Sequence, residues 1–136
     1  EMKKSVKVLL ILLAVVALLL VAGAIAFSQS GEKLEALRDR TVAEPDLTQL
    51  ADGLYRGKHN VFPVLVTVDV TIRDHRIEQI DLVRHINGQG SAAEVIPGLV
   101  VETQSLQVDA IAGATYSSKM ILLAIEDALQ TATPAP

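Results

Sequence analysis

The chain contains no cysteine among its 136 residues. That absence excludes a disulfide, a thiolate metal site, a cysteine nucleophile and a lipid-modified cysteine. Histidine is scarce: His59, His75 and His85 form no i,i+4 pair and no other metal-ligand spacing, so no metal centre is expected. There is no Gly-x-Ser-x-Gly elbow, Walker loop or dinucleotide fingerprint, and no catalytic acid or base stands in a recognisable constellation. Charge is missing altogether from residues 8–27. Twenty apolar residues at a helical rise of about 1.5 Å each extend about 30 Å, the thickness of a bilayer's hydrocarbon core.

This run has two readings, a retained single-pass anchor and a cleaved signal peptide with small-x-small sites at Ala22-Gly23-Ala24 or Ala24-Ile25-Ala26. Its length exceeds a usual signal core, which favours the anchor. Lys3, Lys4 and Lys7 precede the span, so the positive-inside tendency keeps residues 1–7 in the cytoplasm and exports the remainder. From Gly31 onward nine Lys or Arg face fifteen Asp or Glu. An acidic surface is poorly suited to replacing phosphate counterions, so no nucleic-acid partner is expected.

Residues 28–49 are polar with scattered leucines and are expected to form a stalk. Leu34, Leu37 and Val42 can share one side of a short helix that breaks at Ala43-Glu44-Pro45-Asp46. Residues 50–131 are expected to fold, and 132–136 to form a tail. Within the fold, residues 53–57 suggest a short strand. Val64, Val66, Val68, Val70 and Ile72 then alternate with more polar neighbours, the period-two signature of a strand with one buried face. Asp74-His75 is placed to make a hairpin turn, although it lacks the usual glycine and must accept an unfavourable φ. A second strand should run from Arg76 to about Ile86, with Ile80, Leu82 and Ile86 on one face. Asn87-Gly88-Gln89-Gly90 reads as a loop or as a close backbone approach to a ligand. Residues 92–104 suggest one or two short helical pieces around Pro97-Gly98. Ile121, Ile125 and Leu129, with Leu122, Ala124 and Ala128, form the apolar stripe of a last helix, while Lys119, Glu126, Asp127 and Gln130 face away. The expected class is α+β: an N-terminal transmembrane helix followed by a small domain with an antiparallel sheet packed by helices. A domain of about 80 residues buries only about 60–65% of its unfolded surface, so a tightly held cofactor would help to stabilise it.

Chemistry concentrates ahead of the last helix. Ala112-Gly113-Ala114 lies between Asp109 and the hydroxyls of Thr115, Ser117 and Ser118. A tight turn is expected there, in which Gly113 either takes a positive φ or lets another backbone approach closely, feeding a helix that begins near Ser118. The unpaired amides of a first helical turn attract anions, and Thr115 stands where a phosphate would sit. Taken locally, Thr115 or Ser117 serves equally well as an N-cap.

Asp109-x-x-Ala112-Gly113-Ala114-Thr115, with Ser117 and Ser118 behind it, resembles the flavinylation motif of the FMN-binding domain family, found in subunits of bacterial Rnf and Na⁺-translocating quinone reductase complexes. That pattern reads Asp-x-x-Ser/Thr-Gly-Ala-Thr/Ser. Asp52-Gly53-Leu54-Tyr55-Arg56-Gly57, the alternating strand, and Ile96-Pro97-Gly98 through Gln104-Ser105 follow the family's order, so the resemblance covers residues 50–129. It departs at Ala112, where the family carries a hydroxyl. The resemblance implies FMN joined to Thr115 through a phosphoester, made by a separate flavin transferase that uses FAD. It also implies FMN-site roles for Ala112, Gly113, Ala114, Ser117 and Ser118, and a role for Asp109 in recognition by the transferase. Tyr55 and Tyr116 are then either core residues or stacking partners of the flavin ring. The implied function is an electron carrier on the outer side of a bacterial cytoplasmic membrane, with redox proteins of a membrane complex as partners. A flavin-dependent reductase component acting on an external substrate and a structural membrane subunit without cofactor are the alternatives.

Overall fold

The fold is described from a computed structural model covering residues 3–86 and 90–135. It divides into two compact units, residues 1–33 and 34–136. Helix α1 spans Lys4–Ala36. Its large apolar residues from Val6 to Phe27 are exposed, and it is long and apolar enough to cross a membrane by length and composition. It continues past the expected boundary at residue 27, because nothing from Ser28 to Ala36 breaks a helix: the segment has no proline and one glycine, Gly31.

In the second unit, β1 (Gly53–Val61), β2 (Val64–Arg73) and β3 (Arg76–Ile86) form an antiparallel meander in the order β1-β2-β3. As the alternation demands, Val64, Val66, Val68, Val70 and Ile72 are buried on one face of β2. β1 runs four residues beyond the expected strand and passes through Gly57, because α3 lies so close there that only a glycine fits. Asp74 and His75 both take positive φ, 49° and 59°, as a two-residue hairpin loop without glycine requires.

β3 departs from strict alternation. Its pairing with β2 shifts between Thr67 and Val68 and again between Thr71 and Ile72, leaving Val83 and Glu78 as extra residues. Each extra residue reverses which side chains point inward. Ile77, Ile80 and Leu82 therefore stand opposite Ile72, Val70 and Val68, but the next inward place, opposite Val66, goes to His85. Ile86, expected beside Ile80 and Leu82, pairs with Leu65 on the outer face and is 44% exposed.

A 3-10 turn (Ser91–Val95) leads into α2 (Ile96–Thr103), which has Pro97 in its first turn, where a missing N–H is tolerated. Helix α3 (Thr115–Gln130) lies on the inner face of β1 and β2 and supplies Met120, Ile121, Ile125 and Leu129 to the core. Glu126, expected to face away, is buried at 9% exposure. Its Oε1 accepts from Gln130 Nε2 at 2.9 Å, while Oε2 has no partner among the described residues.

The ends of the expected domain also change. From Leu34 onward the stretch expected as a stalk belongs to the folded unit: Leu37 and Val42 are 4% and 7% exposed within the core. Glu44 clamps the far loop, its carboxylate accepting from Ser105 Oγ at 2.8 Å and from the Leu106 amide at 3.1 Å, while Gln107 Nε2 donates to Val42 O at 3.0 Å. The expected tail pairs back as well, with the Ala51 amide donating to Thr133 O and the Ala135 amide to Gln49 O.

Candidate functional site

Ile111-Ala112-Gly113-Ala114 closes as a turn, the Ala114 amide donating to Ile111 O at 2.9 Å. Gly113, third in the turn, has φ +79°, the value a type II turn demands there. Ser118 locks this turn to the helix behind it. Its buried hydroxyl donates to Ala114 O at 2.8 Å and accepts the Ile111 amide at 3.0 Å. Helix α3 consequently starts at Thr115, three residues earlier than expected, with Ala114 as its N-cap and no side-chain capping bond.

Neither Thr115 nor Ser117 serves as the cap. Thr115 is the first helical residue and its side chain is exposed. Ser117, 3% exposed, turns away from the helix end, its Oγ 3.1 Å from His85 Nε2. The other ring nitrogen, Nδ1, lies 3.0 Å from Glu94 Oε1. Strict alternation turns His85 outward, so the sequence pattern alone does not point to this Glu94–His85–Ser117 chain. Arg84, which the same alternation would place in the core, was the available signal of a change of phase.

Gly113, Ala114, Thr115, Ser117 and Ser118 are thus brought together, and Ala112 is exposed on the turn. Asp109 is exposed and lines a neighbouring cleft of about 330 Å³ with Arg38, Arg40, Gln107, Lys119 and Leu122. Lys119 Nζ donates to Arg40 O at 2.8 Å. Tyr116 donates its hydroxyl to Glu35 Oε1 at 2.7 Å beneath the Arg38 guanidinium, and that bond to the carboxylate, with burial, raises its pKa above the usual phenolic value. Tyr55 donates to Ala51 O at 2.9 Å, tying β1 to the segment before it. His59 is held below its ordinary pKa by burial, with Arg40 adding to the effect. The described residues hold no cluster of three or more His, Cys, Asp or Glu placed to bind a metal. The loop expected at residues 87–90 lies outside the described residues except for Gly90.

The glycine turn, the first turn of α3 with no side-chain cap among the described residues and the exposed Thr115 together make an end that favours an anion. A family model described as FMN-binding domain matches residues 63–130, half of the chain, and the chain belongs to that family. It is 30% identical over 89 residues to an uncharacterised protein of Treponema pallidum (strain Nichols), covering 63% of this chain and 25% of that one. The chain therefore spans about a quarter of that relative's length. No solved structure matches it.

The residues present fit the anionic end of FMN. The first-turn amides of α3 carry no side-chain cap among the described residues, and the space around Gly113 is open, with no atom within 4 Å of where a Cβ would stand. An anion there also gains from the helix dipole, by about 0.3–1 kcal/mol at an exposed site.

Proposed function

We propose that the protein is a membrane-anchored electron carrier whose FMN is attached by a phosphoester to the Thr115 hydroxyl. The observation that carries this reading is the exposed Thr115 side chain on the first turn of α3, which has no side-chain cap among the described residues, directly behind Gly113 at φ +79°. The two serines beside it are buried and committed to other partners, which leaves Thr115 as the accessible hydroxyl. Ala112, where the family carries Ser or Thr, is exposed, so its missing hydroxyl leaves no buried group unpaired.

Helix α1 anchors the chain in a bacterial cytoplasmic membrane, with Lys3, Lys4 and Lys7 inside and the folded unit outside. Outside the membrane a dissociated flavin is hard to replace, so a covalent bond preserves function. Flavin supplies one- or two-electron chemistry, and this chain supplies the attachment point and its orientation. The partners are a flavin transferase, for which Asp109 and its cleft form the recognition surface, and redox proteins of a membrane complex.

Co-expression with a flavin transferase tests the reading. Wild-type protein should keep a fluorescent flavin band after denaturing electrophoresis, and Thr115→Ala should lose it. A band of equal strength in Thr115→Ala would refute the assignment. A colourless wild type would favour a structural subunit without cofactor.

A further inference from the structure

Three elements converge two residues from Thr115. Glu94 comes from the 3-10 turn, His85 from the end of β3 and Ser117 from the first turn of α3, joined by contacts of 3.0 and 3.1 Å. The His85 side chain is 2% exposed. A carboxylate only accepts, so the Glu94 contact places a proton on His85 Nδ1 and fixes which nitrogen faces the serine. In the neutral ring with that tautomer, Nε2 is an acceptor and Ser117 donates its hydroxyl to it. A serine near the start of a helix often spends its side chain on the local backbone. Here the side chain is directed sideways instead, so the turn is anchored without occupying the amides at the helix end.

We propose that Glu94, His85 and Ser117 form a positioning relay that holds the first turn of α3, and with it the Thr115 hydroxyl, in the geometry needed for phosphoester formation. The inference rests on the reading of Thr115 as the FMN acceptor. In that reaction Thr115 Oγ1 attacks the phosphorus of FAD nearer the flavin, and a new P–O bond forms. The bond from that phosphorus to the bridging oxygen breaks, and AMP leaves with the electron pair. The hydroxyl proton passes to a base of the transferase, and nothing is oxidised or reduced. No relay residue touches the reacting atoms. Buried Ser117, already bound to His85, is not a competing acceptor.

A purely structural tie and a positioning relay differ in what their loss changes. Losing a tie lowers stability and leaves the chemistry of each folded molecule intact. Displacing an attacking group by about 1 Å costs up to about 100-fold in rate.

The test uses the full chain in detergent with a flavin transferase and FAD, following attachment by intact mass at several acceptor concentrations. Wild type is compared with Glu94→Gln, Glu94→Asp and Ser117→Ala, with thermal unfolding of each unmodified protein alongside. We expect Glu94→Gln and Ser117→Ala to lower kcat for attachment by about 10- to 100-fold, with KM for the acceptor within about twofold of wild type. Glu94→Asp should recover part of the loss. Nitrogen NMR of the unmodified protein should find His85 as the Nδ1–H tautomer in wild type and as a mixture in Glu94→Gln, whose amide can either accept or donate. Wild-type kcat in both Glu94→Gln and Ser117→Ala, or a loss that only tracks melting temperature, would overturn the relay while leaving the Thr115 assignment standing. A wild-type chain that takes up no flavin at all would overturn both.

Discussion

Gly57 sits in β1 where α3 crosses the strand, and adding a single carbon there tests how the fold is packed. A Cβ at this position would overlap the carbonyl oxygen of Ala124 and the amide nitrogen of Ala128, and would stand 2.8 Å from Ala128 Cβ. Two of these three atoms are helix backbone, so no side-chain rotation relieves the clash. Either α3 or β1 must move, and α3 carries Met120, Ile121, Ile125 and Leu129 in the core. Overpacking of this kind costs about 1–3 kcal/mol, and backbone obstruction puts Gly57→Ala at the upper end. For a folded unit of about 100 residues, about 3 kcal/mol lowers Tm by about 12–24 °C. Gly98 is the internal control: it is exposed on α2, with nothing within 4 Å of its would-be Cβ. Gly98→Ala should raise stability by up to about 1 kcal/mol through helix propensity alone. Scanning calorimetry of the detergent-solubilised proteins reads both. A Gly57→Ala protein melting within about 3 °C of wild type would refute the close approach, since the packing argument requires several times that shift.

Other substitutions probe separate parts of the account. His75→Gly removes a side chain held at φ 59° and should stabilise the hairpin by about 1 kcal/mol, seen as a higher Tm; a lower Tm would contradict the turn geometry. Gln104, itself at φ 55°, accepts from the Ile77 amide and donates to Ile77 O, covering the edge of β3. Gln104→Ala should cost about 1–3 kcal/mol and speed hydrogen exchange at Ile77, and an unchanged exchange rate there would count against the edge contact. Asp69 accepts two hydrogen bonds from Arg56, at 2.6 and 2.7 Å, and these hold its carboxyl below the ordinary 3.8. A carboxylate with a lowered folded pKa stabilises the protein fully above 3.8 and loses that contribution as pH falls through the folded value. The Tm difference between wild type and Asp69→Asn should therefore be largest near neutrality and close in acid; a difference independent of pH would rule the pair out as its source.

Local patterns in the sequence carry local information, and the fold follows them closely where burial is one-sided. The valine alternation of β2 reports a single buried face and appears where expected, and the apolar stripe of α3 is buried as expected, with Leu123 and Glu126 buried beyond it. Gly113 and the Asp74-His75 turn were legible for a similar reason, since each backbone requirement is met within a few residues. His85 was not legible, because its inward position depends on how β3 pairs with β2, and the extra residue Val83 reverses the phase. The same applies to Leu37, Val42 and Glu44. Taken alone they read as a stalk, and contacts distant in sequence, including those of Val42 and Glu44 with the loop at 105–107, make them part of the fold. At the site, the glycine turn ahead of the last helix was legible from the motif, whereas the helix start at Thr115, its exposure and the destinations of the Ser117 and Ser118 hydroxyls required the tertiary structure.

The central claim is a covalent bond at one atom, and peptide mass spectrometry of membrane-purified protein tests it most directly. The account predicts that the peptide containing Thr115 carries the mass of FMN less one water, with fragmentation placing the addition on Thr115. An unmodified Thr115 peptide from cells with a working flavin transferase, or an adduct on another residue, would contradict it.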